Sequence, residues 1–192
     1  MTTRRVRPVA VLVAVAAMLA AGWLTTWREN DPPLEQLTAR PNQEVVINHV
    51  GQSVRFMQLE LGQVYTNDRQ AQATAARYLQ VTVRLTTPRE RSMVSFDCEA
   101  EQGGQSYQPI GLGRTLFPEP GQRNLASIAF EFDPSRAASL RIVCRERSTI
   151  TFRETTVTYD PQLGTEAGRR LLAQSAGALV VEGEQSTEPI QR

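Results

Sequence analysis

The stretch ARYLQVTVRLTTP, Ala76 to Pro88, decides the fold. Leu79, Val81, Val83 and Leu85 alternate in it with Gln80, Thr82 and Arg84. That period of two belongs to a strand with one face in a core and the other in water. Burying the four apolar side chains contributes roughly 6–12 kcal/mol before conformational entropy is set against it. The pattern returns in SMVSFDCEA through Val94, Phe96 and Cys98, in ASIAFEFDP through Ile128, Phe130 and Phe132, and in SLRIVCRER through Leu140, Ile142 and Cys144. EVVINHV, SVRFMQLELGQVY and TITFRETTVTY alternate less cleanly but carry the β-branched and aromatic residues that suit a pleated surface. Turn-forming clusters divide them: TNDRQAQ, TTPRER, EQGGQ, PEPGQR and DPSRAAS. About seven or eight short strands predict an all-β fold, an antiparallel β-sandwich, because one open sheet of this content would leave an apolar face wet.

The first 27 residues are of another kind. Val9 to Trp27 carries no charge, and as a helix at 1.5 Å per residue it would reach about 28 Å, close to the hydrocarbon thickness of a bilayer. Arg4, Arg5 and Arg7 precede this run, and Arg28, Glu29 and Asp31 follow it. The positive-inside rule therefore leaves the N-terminus in the cytoplasm and sends the rest outside. Trp23 and Trp27 fall at the exit end, where indoles settle among headgroups, and they favour a retained anchor. Ala20-Ala21-Gly22 offers the alternative of a cleaved signal peptide and a secreted product. Tryptophan at position 23 closes the lipoprotein option, which needs a cysteine there.

The expected organisation is a basic cytoplasmic segment over 1–8, a transmembrane signal anchor over 9–27 and a polar stalk over 28–41. A β-sandwich domain would follow over 42–160, then a short helix and a disordered acidic tail over 161–192. Trp23, Trp27, Arg4, Arg5 and Arg7 would be the membrane-interface anchors. Without those three arginines the net charge of +1 becomes −2, which excludes a nucleic-acid-binding domain. All 21 basic residues are arginine; they are scattered, not clustered as a binding patch would be, and read as compositional bias.

A domain outside the membrane meets an oxidising compartment, and both Cys98 and Cys144 fall on the inward face of their strands. They are expected to form a disulfide, worth about 4 kcal/mol in the chain-entropy account. Two geometries are open. A bond between neighbouring strands of one sheet would put Asp97 and Glu99 beside Arg141, Arg145 or Arg147 on the outer face, whereas a bond between the two sheets would separate those charges. Both cysteines continue apolar faces, which favours the cross-sheet bond.

Catalytic chemistry finds little to work with. The sequence has one histidine and no GxSxG elbow, phosphate-cradling loop, dinucleotide fingerprint or zinc-binding helix motif. His49 has Ser53 four residues on, but a lone histidine beside a strand turn reads as a polar surface residue. Asp97, Glu99 and Glu101 share a strand face and could offer oxygens to calcium, but no EF-hand-like loop follows, and they read as solvated acids. Tyr65, Tyr78, Tyr107 and Tyr159 read as core edges. No enzyme activity, cofactor or metal is expected.

The order of ARYLQVTVRLTTP, GQSYQPI, EPGQRNLASIAFEFDP and LRIVC resembles the telokin-like, immunoglobulin-like extracytoplasmic domains of membrane-anchored or secreted proteins of Gram-positive, actinobacterial-type bacteria. The resemblance covers about Asn42 to Tyr159. The chain departs from true immunoglobulin domains in having no tryptophan between its cysteines and Ile142 where a corner tyrosine would stand. What the resemblance implies is an extracytoplasmic sandwich, and it brings no catalytic residues with it. The resulting expectation is a single-pass plasma-membrane protein that displays a non-catalytic domain to another envelope or membrane protein. The alternative is a cleaved, secreted protein that binds a small ligand or cell wall.

Overall fold

A computed structural model describes residues 16–19, 35–67, 70–89, 95–110, 115–116, 120–147, 155–183 and 185–190. They build a mostly β protein of two sheets packed face to face. The first sheet runs β1 (Gln36–Ala39), β10 (Thr156–Tyr159), β9 (Arg141–Arg147), β5 (Ser95–Gln102), with β6 (Gln105–Tyr107) and β7 (Thr115–Leu116) both pairing the free edge of β5. The second runs β3 (Gln52–Thr66), β4 (Ala71–Thr86), β8 (Gln122–Phe132), β12 (Ser186–Pro189). Its β3 edge is covered at one end by β2 (Glu44–Ile47) and at the other by β11 (Leu179–Val181).

Strand β4 behaves as its alternation dictates. Leu79, Val81, Val83 and Leu85 are buried, and they meet Phe56 from β3 and Ile128, Phe130 and Phe132 from β8 in one core. The first sheet contributes Phe96, Cys98, Ala100, Ile142, Cys144, Val157 and Tyr159 to the same core. Phe56 and Tyr159 stack across the sheets with ring centroids 4.4 Å apart and planes 8° from parallel. A second link is polar: the Gln102 side-chain amide donates to the Asp133 carbonyl at 2.7 Å and accepts from the Asp133 N–H at 3.0 Å. Gly103 and Gly104, with φ of 57° and 81°, make the two-residue turn between β5 and β6, the positive-φ pair that a tight hairpin demands.

Twelve strands occur among the described residues, more than the alternation indicates. The additions are short edge strands held by backbone pairing, which leaves no hydrophobic period to read. The stalk expected over 28–41 ends earlier, because Gln36–Ala39 pairs in parallel with β10 and Ala39 is buried. The tail differs most. Helix α1 (Glu166–Gln174) starts at Thr165, whose hydroxyl accepts the Gly168 N–H at 3.1 Å, and stops before a turn containing Gly177 at φ 73°. From there the chain is not a disordered acidic tail but a strap.

The strap crosses the outer face of the second sheet. Gln63 and Val64 donate to the Ala178 carbonyl, and Gly62 lets it approach so closely that an added Cβ would lie 2.5 Å from that oxygen. Val180 then packs with Tyr65, Tyr78 and Ala129 into a second small core, with Ile110 against it. Gln80, an outward-facing polar residue of β4, is 4% exposed because the strap lies over it: its amide donates to the Val181 carbonyl at 2.8 Å and accepts from the Gly183 N–H at 3.2 Å. Beyond Gly183, which has no room for a Cβ above Ser127, the chain turns along β8 as β12.

Both ends of the domain meet at one pole. The Glu35 carbonyl accepts the Thr156 N–H, and its carboxylate bonds Asn48 at the end of β2. Ile190 donates to the Gly121 carbonyl, and Gly121 in turn donates to Thr87 beyond the end of β4. The span expected over 9–27 and the anchors Trp23, Trp27, Arg4, Arg5 and Arg7 lie outside the described residues, save residues 16–19, which are helical. Among the described residues no helix is long and apolar enough to cross a membrane.

Two outcomes are expected. Val180→Asp should detach the strap, since it places a charge in an apolar cluster and forfeits about 1.5–3 kcal/mol of burial. Limited proteolysis should then clip the chain after α1 while the remainder stays folded, and a strap as resistant as the parent's would refute this arrangement. The second concerns Tyr159, whose phenol is pushed up to about 12 by burial, and then by the charge of Asp160. Its folded value lies above the unfolded one of about 10, so its contribution to stability is complete below pH 10 and drains away as pH rises toward 12. The urea midpoint should fall over that window and fall less in Tyr159→Phe; equal slopes would contradict it.

Candidate functional site

Residues with potential chemistry gather at the pole where the chain enters the domain. After β2 the chain turns through residues 48–51, closed by the Gly51 N–H donating to the Ile47 carbonyl at 2.7 Å, with Gly51 at φ 66°. Val50 tucks into the core, and His49 leans toward the end of the first sheet. There β9 places Glu146 on its inward face, two residues beyond Cys144, and its carboxyl is almost wholly buried. His49 Nε2 lies 3.3 Å from Glu146 Oε2, and Nδ1 lies 3.7 Å from Glu35 Oε2. Thr155 adds its N–H, donated to Glu146 Oε2 at 3.1 Å, and its hydroxyl, 3.5 Å from His49 Nδ1. Asn48 holds Glu35 by its backbone N–H at 3.1 Å and its amide at 2.6 Å.

The geometry accounts for the buried acid. A carboxylate removed from water needs partners that replace its solvation. With the imidazole neutral, Nε2–H donates to Glu146 and Nδ1 accepts from Thr155; with it protonated, both nitrogens donate and both acids are partnered. The Thr155 hydroxyl is fully buried, so it meets no substrate as a nucleophile. The cluster therefore latches three segments together: the entering chain at Glu35, the β2–β3 turn, and the β9–β10 end of the first sheet.

His49 stays at the surface, as its place beside a turn suggests, but it is engaged by Glu146, Glu35 and Thr155 and does not meet Ser53. The Ser53 hydroxyl donates to Glu44 Oε1 at 2.5 Å. Glu35, Glu146 and Thr155 were missed because they lie 14, 97 and 106 residues from His49 along the chain. One signal could have flagged Glu146: counted in twos from Cys144, it falls on the inward face.

Cys98 and Cys144 are bonded, with S–S 2.11 Å. They sit directly opposite one another on the neighbouring strands β5 and β9, Cα atoms 4.0 Å apart. The cross-sheet bond favoured from the sequence is therefore incorrect. Inward-pointing cysteines on adjacent strands continue apolar faces just as well as cysteines facing each other across the core. The outer face carries the matching ladder. Arg145 pairs with both Glu99 and Glu101, and Arg147 Nε lies 3.8 Å from Asp97. The three acids considered for calcium are thus engaged by arginines, and among the described residues no cluster of histidine, cysteine and acidic side chains has the geometry of a metal site. These pairs are largely exposed and each contributes at most about 1 kcal/mol.

His49→Ala should leave Glu146, among the described residues, with only the Thr155 N–H, costing about 1–3 kcal/mol of stability. Equilibrium urea unfolding reads the loss, and adding Glu146→Gln to that variant should recover part of it. A midpoint identical to the parent's would show that the acid does not depend on the imidazole. No family model, curated protein or solved structure matches this chain.

Proposed function

We propose that this chain is a non-catalytic contact domain, held outside the plasma membrane by residues 9–27 and serving as an accessory subunit of a larger envelope or membrane complex. The observation that carries the reading is the Cys98–Cys144 bond, enclosed in the core between β5 and β9. Structural disulfides persist in oxidising compartments and are rare in reducing ones. The uncharged run from Val9 to Trp27, with arginines ahead of it and tryptophans at its exit, supplies the route to such a compartment. Arg4, Arg5 and Arg7 hold the N-terminus inside, and Trp23 and Trp27 sit at the outer interface. The resemblance to immunoglobulin-like extracytoplasmic domains points the same way.

The domain suits this role physically. A sandwich pinned by a disulfide, a cross-sheet aromatic stack and a C-terminal strap keeps its outer surfaces in fixed relation, so a partner meets them without an ordering cost. The polar latch at the entry pole ties the incoming chain to both sheets, and a tether attached there holds the body in a defined orientation.

Extraction of native membranes with mild non-ionic detergent tests the proposal. The expected result is a full-length chain, N-terminus intact, with its cysteines oxidised when thiols are blocked at lysis, and with another membrane protein copurifying in fixed ratio. Free thiols at positions 98 and 144 would overturn the location, and recovery of the chain alone would overturn the accessory role.

A further inference from the structure

The two outer faces treat their arginines differently. On the first sheet Arg145 and Arg147 lie beside Asp97, Glu99 and Glu101, acid against base across neighbouring strands. On the second, Arg55 of β3 lies directly opposite Arg84 of β4, and Arg123 of β8 lies opposite Thr86, one outward position further along. With strands about 4.8 Å apart, the three share a patch about 10 Å across. Like charges directly opposite on a sheet are destabilising. Among the described residues none of the three side chains has an ion pair or hydrogen bond, and Nε of both Arg55 and Arg123 is buried without an acceptor.

The surroundings define the site. The strap covers the half of this face that carries Gln80 and Ala129, and turns off along β12 before reaching the arginines. Glu44 on β2 and Glu188 on β12 stand in register with Arg55 and Arg123 at the two sides. Glu44 is engaged by Ser53. Between those edges lie three half-buried guanidinium side chains with Thr82 and Thr86 on the same face.

We propose that Arg55, Arg84 and Arg123 dock an acidic, extended segment of a partner protein against the half of the second sheet that the strap does not cover. Guanidinium groups pair carboxylates through two parallel N–H donors, and three on adjacent strands suit a chain that presents several acids along its length. A phosphate cradle would draw on free backbone N–H groups. Here the backbone of β4 is committed on both sides to its neighbours, so only side chains are on offer. The strap already shows that this face accepts a peptide laid across it. The inference rests on the contact-domain reading and names the chemistry of the partner.

The test uses the full chain in detergent-free phosphatidylcholine nanodiscs, titrated at low salt with hexaglutamate, with inorganic pyrophosphate, and with phosphatidylglycerol vesicles. Hexaglutamate should bind, weaken steeply with salt, and lose at least roughly tenfold in affinity in Arg84→Gln, while Arg147→Gln on the opposite face changes nothing. Arg84→Gln should also unfold at the same or a higher urea concentration than the parent, because it relieves repulsion from Arg55. Binding unaffected by Arg84→Gln, a lowered midpoint in that variant, or a preference for pyrophosphate or vesicles over hexaglutamate would each overturn the docking proposal. A partner that copurifies equally well with Arg84→Gln would overturn it too, yet leave the contact-domain reading standing. Recovery of the chain alone, with hexaglutamate still binding at the triad, would overturn the contact-domain reading and with it the assignment of a protein partner.

Discussion

The register of β4 is the constraint on which the rest of the structure depends. Every second side chain from Leu79 to Leu85 is buried between two sheets, and a slip of one residue would turn that whole set toward water. Once this register is fixed, pairing with β3 and β8 sets theirs, so Phe56, Ile128, Phe130 and Phe132 go inward and Arg55, Arg84 and Arg123 go outward together. The arginines are 29 and 39 residues apart along the chain. Packing of the opposite face makes them neighbours.

What the sequence disclosed and what it withheld divide along the same line. Strands with one buried face announce themselves because burial imposes a period of two, as in β4, β8 and β9. Strands β11 and β12 carry no such period. They are held by backbone bonds and by single insertions such as Val180; β11 is only three apolar residues long, and the polar β12 has the composition of a chain without structure. Gln80 shows the converse difficulty. Its polarity marks an outward position, and that much is correct, but polarity does not reveal that another segment satisfies its amide in place of water. The His49 latch joins residues from opposite ends of the domain and has no local pattern at all. The geometry of the disulfide was readable in principle, since the outward acids and arginines flanking the two cysteines were already in the sequence to be weighed.

The second sheet bears different demands on its two halves. Where the strap lies, polar groups are satisfied internally and an apolar cluster is sealed; where it does not, Arg55 and Arg84 face one another with no ion pair among the described residues. Natural chains tolerate local destabilisation where function requires it and recover stability elsewhere. The buried disulfide and the stack of Phe56 on Tyr159 are the compensating elements here, and both lie in the core, away from the arginine face.

The parallel pairing of β1 with β10 has a mechanical consequence. Tension applied to the chain ahead of Glu35 runs along the axis of β1, so its four register pairs with Thr156, Val157, Thr158 and Tyr159 are loaded in shear. Bonds in shear share the force and must fail together, whereas bonds at a peeled edge fail one at a time. The Glu35 carboxylate, gripped by Asn48 and facing His49, takes the strain first. A body pulled from that end resists being drawn open.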